Sequence, residues 1–153
     1  MMLRNELTVI IAKVVEKRGS IDVTCYGNDM FPFLRDGNVT TFVRVREEEL
    51  QIGDVCLFES NEGQLLLYRM IEIIYDQQSA SYTFRGDTCD VPERPVAYSN
   101  IIGKLKAVHR DGKVLYVSHW SSRLLETAVL QIPFWPKVSR WIANRRYDRT
   151  SAI

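Results

Sequence analysis

Gly27-Asn28-Asp29-Met30-Phe31-Pro32-Phe33-Leu34-Arg35-Asp36-Gly37 is a turn-forming stretch held between two runs of alternating residues. Gly27 permits a sharp exit from the run before it. Asn28 and Asp29 carry side chains that bond nearby backbone in turns, and Pro32 fixes the chain that follows. Met30 and Phe31 put apolar surface in the middle. On the N-terminal side Ile21, Val23 and Cys25 alternate with Asp22, Thr24 and Tyr26. On the C-terminal side Asn38 to Arg46 places Val39, Thr41, Val43 and Val45 on one face. A period of two is that of a strand with one buried face, so the stretch is expected to join two strands.

The same pattern extends downstream. Val55–Glu59 is a short apolar run after a Gly53-Asp54 turn, and Asn61-Glu62-Gly63 is a tight hairpin turn into Gln64–Tyr75. Ser79–Arg85 alternates through Ala80, Tyr82 and Phe84. Ile101–Arg110 is a further strand, which Asp111-Gly112 turns back into Lys113–Val117. Apart from the 15 residues between Arg85 and Ile101, no gap between these runs is long enough for the dozen or so residues of a parallel crossover, so antiparallel pairing of about seven strands is implied. Such a sheet must curl or pack on itself.

Helices flank the strands. Asn5 to Arg18 spaces Leu7, Ile10, Ile11, Val14 and Val15 along one helical face, with Asn5 as N-cap and Gly19 as the stop. Beyond His119, Ser121 or Ser122 caps a segment running to about Leu130, Pro133 and Pro136 interrupt it, and Val138, Trp141 and Ile142 form a second short amphipathic stretch. The expected class is mainly β (β-rich α+β). Residues 1–118 form the β-domain with its leading helix 5–18, and residues 119–153 form a basic, Trp-containing helical appendage.

Composition narrows the function classes. With 153 residues, 46% hydrophobic and 25% charged, the chain is an ordinary globular protein of one domain plus an appendage. Twenty basic and 19 acidic residues give no overall bias toward nucleic acid. The balance is uneven, however. From Pro133 onward five basic residues face the single acid Asp148, a net of +4, which leaves −3 for the rest. Cys25, Cys56 and Cys89 are odd in number and lack ligand spacing, so they read as buried free thiols in a reducing compartment. His109 and His119 lie far from any cysteine pair, and no metal or cofactor is expected. No apolar run reaches the ~18–20 residues of a spanning helix, and a cytoplasmic location is expected.

Five motifs in order resemble the S24/S26 serine peptidases, the family of type I signal peptidases and self-cleaving repressor domains. Gly27-Asn28-Asp29-Met30-Phe31-Pro32 with Gly37 is similar to the family's nucleophile box, G-x-S-M-x-P followed by G-D. Ile52-Gly53-Asp54-Val55 resembles its step into the next strand, Tyr68-Arg69-Met70 its base position, Phe84-Arg85-Gly86-Asp87 its "kGD" box, and Ile101-Ile102-Gly103-Lys104 the strand after it. The resemblance covers roughly Ile21 to Val117. It implies a curled antiparallel β barrel whose shallow groove takes substrate as an added strand. The groove residues it implies are Gly27, Asn28, Asp29, Met30, Phe31, Pro32, Tyr68, Arg69, Gly86 and Asp87.

The departures fall on the chemistry. Asp29 stands where the family has its serine, and an acyl-aspartate would be an anhydride, outside that mechanism. Tyr68 stands where the family has its lysine or histidine base, and a phenol with an ordinary pKa near ~10 is a poor base at neutral pH. Arg69 is permanently charged and cannot serve. Asn38 replaces the acid after Gly37. No catalytic residue is expected. The resemblance then implies an inactive pseudopeptidase that binds an extended peptide, such as a precursor or leader peptide.

Alternatives stand beside this reading. One is an active peptidase rebuilt around Asp29 with Asp36 or Asp87 as second carboxylate; another is a repressor-like regulatory or dimerisation domain. A single leading helix offers no helix-turn-helix, so direct DNA binding is not expected. Asp29 is either a hook for a basic peptide or a plain turn residue. Tyr68 is either its partner or an ordinary strand aromatic, and Asp87 reads as an acceptor of backbone bonds in a turn. The segment bearing Trp135, Arg140, Trp141, Arg145 and Arg146 is a solvated face, a contact for an acidic partner or nucleic acid, or a peripheral membrane contact. Oligomeric state is left open.

Overall fold

Helix α1 (Glu6–Arg18) leads into β1 (Ser20–Thr24), and β2 (Val39–Val43), β3 (Val55–Glu59), β4 (Leu65–Tyr75), β5 (Ala80–Arg85), β6 (Val96–Ala97), β7 (Ile101–Arg110) and β8 (Lys113–Tyr116) follow in a computed structural model that describes residues 6–117. Single 3-10 turns occupy Glu47–Glu49 and Tyr98–Asn100. The protein is mainly β: a curled antiparallel half-barrel with an N-terminal helix. The expected C-terminal helices lie outside the described residues.

The sheet runs β1-β2-β7-β3-β4-β5-β6, with β8 beside the far half of β7. Every pairing is antiparallel. Register shifts at Thr41/Phe42, Leu57/Phe58 and Met70/Glu72 each put an extra residue into one strand. Such bulges bend a strand and raise its twist, which curls a flat sheet. The hairpin turn at Asp111-Gly112 has positive φ at both residues, 51° and 71°, the backbone that matches strand twist.

Strand β3 explains the two-layered core. All five of its residues are buried. Val55 and Leu57 join a cluster with Val15, Met30, Phe42 and Leu105, and Cys56 and Phe58 join a second with Met70, Tyr82, Phe84 and Val96. Both faces of the central strand are therefore covered, which is why it reads as a continuous apolar run. Phe58 stacks on Phe84 with ring centroids 4.2 Å apart, worth about 0.5–1.5 kcal/mol beyond area burial.

Four expectations need correction. Helix α1 docks through Thr8, Ile11, Ala12 and Val15, and Leu7 and Ile10 remain 55% and 59% exposed. The dominant face of β2 is Thr40 and Phe42, both fully buried, because Phe42 brings more apolar area than the valines opposite. Thr40 Oγ1 satisfies itself by donating to the Val23 carbonyl at 2.8 Å. The described residues hold eight strands rather than about seven, because the two-residue β6 is too short to carry a periodic signal. Cys25 and Cys89 are only half-buried, and Cys56 alone is sealed.

Candidate functional site

The loop after β1 is stapled at its neck. Cys25 N donates to the Asn38 carbonyl and Gly37 N to the Cys25 carbonyl, at 2.8 and 2.9 Å. Gly27 sits at φ 83°, a conformation costly for side-chain-bearing residues, and its N–H is held by Asp36 Oδ1 at 2.8 Å. Inside the neck Phe31 N bonds the Asn28 carbonyl and Leu34 N the Met30 carbonyl. The loop is thus a built element that presents Asp29 outward and buries Met30 and Leu34.

A second loop clamps it from the far side. Thr88 N donates to the Asp29 carbonyl at 2.9 Å, and Thr88 Oγ1 lies 3.2 Å from the carbonyls of both Asn28 and Asp29. Gly86 lies against this junction. A Cβ there would sit 2.6 Å from Cys89 Sγ, 3.0 Å from the Asp29 carbonyl oxygen and 3.2 Å from Tyr68 Cε1. Only glycine permits that approach.

Strand alternation then divides Tyr68 from Arg69. Tyr68 turns toward the loop and its hydroxyl donates to Asp29 Oδ2 at 3.3 Å. Burial pushes the Tyr68 phenol upward in pKa, reinforced by Asp29, by Cys89, by the hydrogen bond to Asp29 and by Glu93. It is a neutral donor. At the Asp29 and Tyr68 positions the site therefore presents a phenol giving a hydrogen bond to a carboxylate, in place of a serine hydroxyl and an amine or imidazole.

Arg69 goes inward. Its Nε and Nη2 meet Asp87 Oδ1 and Oδ2, both at 2.8 Å, and Nη1 donates to the Gly53 carbonyl at 3.0 Å. Both side chains are fully buried, and Phe33 lies under the guanidinium at 5.2 Å. Arg69 and Asp87 are thus a buried clamp holding the Gly86–Thr88 loop to β4, not groove-lining residues. Asp87 is the ion-pair partner of Arg69, as a buried guanidinium needs a carboxylate opposite it. Asp36 Oδ1 accepts from the Gly27 amide, so both acids expected to assist Asp29 are engaged with other partners.

An apolar groove of about 450 Å³ opens beside Asp29 and Tyr68. Of the expected residues it is lined by Gly27, Asp29, Met30 and Tyr68. Asn28 is half-buried beneath Thr88, Phe31 is buried away from the groove wall with Arg35 over its ring at 6.0 Å, and Pro32 follows a cis peptide at the loop's base. Sequence reasoning missed most of the wall: Leu7 and Ile11 of α1, Cys25 and Tyr26, and Leu65, Leu66 and Leu67. The triple leucine directly before Tyr68 was the available signal.

The groove is bounded by two open strand edges. Val23 and Thr24 at the end of β1, with the loop residues Cys25 to Gly27 after them, line it consecutively, and so do Leu65 to Tyr68 of β4. Consecutive residues facing one space mark an edge, since a strand face shows only alternate ones. β1 ends the sheet, and β4 pairs with β3 from Leu65 but with β5 only from Arg69 onward. Among the described residues no strand pairs with the outer side of either segment.

No known protein-family model matches the chain, and no curated protein matches it significantly. Among the described residues no helix is long and apolar enough to cross a membrane, and no cluster of His, Cys, Asp and Glu has the makings of a metal site. Trp135, Arg140, Trp141, Arg145 and Arg146 lie outside the described residues.

Proposed function

We propose that this chain is a non-hydrolytic relative of the S24/S26 peptidases that captures an extended peptide, such as a precursor or leader peptide, by β-addition in the cytoplasm. One observation carries the reading: an apolar groove lies between two unpaired strand edges, and the residues at the two dyad positions, Asp29 and Tyr68, meet at its end. An added strand gains main-chain hydrogen bonds from the edges and side-chain specificity from the wall. The absence of a serine–base pair at Asp29 and Tyr68 supports binding without turnover. Three thiols with no disulfide among them fit a reducing compartment.

Calorimetric titration with extended peptides, paired with amide exchange, tests this. Binding with new protection at β1 and at Leu65–Tyr68 is expected, with no cleavage between about pH 4 and about pH 9. Folded protein that binds no peptide at high micromolar concentration would sink the reading. Cleavage abolished by Asp29→Ala would replace it with that of an active hydrolase.

A further inference from the structure

The groove's own chemistry narrows its ligand, given the peptide-binding reading above. Its wall is mainly leucine, isoleucine, valine and methionine, with Tyr26 and Tyr68 among them, and among the residues lining it Asp29 is the one formal charge. Asp29 is exposed and its carboxylate accepts from Tyr68 through Oδ2, and among the described residues no lysine or arginine forms a salt bridge with it. Tyr68 stays a neutral donor, its phenol held protonated first by burial and then by Asp29, Cys89 and Glu93, so it leaves the Asp29 charge in place.

Size points the same way. An apolar cavity of roughly 150 Å³ accepts a benzene-sized group, and this groove measures about 450 Å³. Small side chains would leave most of it unfilled, forfeiting both burial and dispersion contacts. A strand added to either edge turns every second side chain the same way. The wall thus selects bulky side chains at alternate positions, and the end selects a cation.

We infer that the groove takes an extended segment with bulky aliphatic or aromatic residues at alternate positions flanked by a lysine or arginine that reaches the Asp29 carboxylate. Leucine-rich basic segments fit; segments built on alanine do not, and neither do acidic ones.

The test uses the full chain and acetylated, amidated octapeptides of alternating Leu and Thr with a Lys at either end, read by calorimetry. Replacing each Leu by Ala should weaken binding on the order of tenfold or more per position. Replacing Lys by Glu should weaken it about two- to fivefold at low salt, as for an exposed ion pair, and less as salt screens the contact. In Asp29→Asn, checked for an unchanged melting temperature, the Lys-over-Glu preference should vanish while the Leu-over-Ala preference stays. Equal affinity for Ala and Leu peptides, or a charge preference that survives in Asp29→Asn, would overturn the inference and leave peptide capture standing. Failure of every peptide to bind would overturn both.

Discussion

The Arg69 guanidinium and the Asp87 carboxylate meet through two parallel hydrogen bonds of 2.8 Å, and neither side chain reaches solvent. This pair sits one residue from Tyr68 on β4 and one residue from Gly86 and Thr88 in the clamping loop. It therefore fixes the geometry of Asp29 and Tyr68 without touching the groove.

Removing one partner leaves the other charged and buried. Asp87→Ala is expected to cost about 3–5 kcal/mol in urea unfolding. Arg69→Met with Asp87→Leu should recover part of that loss, because the desolvation penalty is removed with the charges. A single variant that unfolds at the wild-type midpoint would refute the clamp.

Crowding at Gly86 separates stability from position. Gly86→Ala pushes a methyl against Cys89, the Asp29 carbonyl and the Tyr68 ring, and overpacking of this kind costs about 1–3 kcal/mol. Gly103→Ala meets the Val43 carbonyl at 2.9 Å and the Phe42 side chain, in the sheet core. Both variants should melt earlier, but only Gly86→Ala should also weaken peptide binding at temperatures where it is folded. Equal binding by the two would argue against a positioning role for the clamping loop.

Asn38 offers a gain. Its Oδ1 accepts from the Arg35 amide at 3.1 Å and from Arg110 Nε and Nη2 at 3.2 and 3.0 Å. Burial lowers the Arg110 pKa and the Arg35 charge lowers it further, so a neutral amide stands where an anion would help. Asn38→Asp is expected to stabilise by about 1 kcal/mol, since bonds to charged groups exceed neutral ones. The gain should disappear as pH falls through the ordinary carboxylate range near ~4. A neutral or destabilising result at neutral pH would contradict the assigned contacts.

Alkaline pH should weaken the fold. Burial raises the pKa of Tyr68, of Tyr82 and of the Cys56 thiol; Asp29 adds to the first and the hydrogen bond to Glu47 to the second. The folded chain then holds protons that the unfolded chain releases, so stability falls as pH rises. Stability from these groups is complete below about pH 8.5 for the thiol and about pH 10 for the phenols, and declines above those values. Urea midpoints taken between about pH 7 and about pH 11 should show it, with a shallower decline in Tyr82→Phe. A flat profile would contradict the burial of these groups.

Local chemistry determined the order and type of the elements. The Asn61-Glu62-Gly63 and Asp111-Gly112 turns, the apolar run Val55–Glu59 and the alternation from Ile21 to Cys25 are each settled within a few residues, so the antiparallel β-rich class is legible in the sequence. The motif order likewise placed Asp29 and Tyr68 in one neighbourhood. Which way a residue faces was a different matter. Tertiary packing buried Phe42 over the valines of β2, turned α1 onto Val15 and left Leu7 to the groove, because burial goes to whichever face meets the larger apolar partner. It also chose Arg69's partner, eighteen residues away. The groove itself exists because β5 joins β4 only from Arg69 onward, leaving Leu65–Tyr68 with one open edge. Register between distant strands is a property of the assembled sheet, and no local pattern in the chain encodes where that pairing begins.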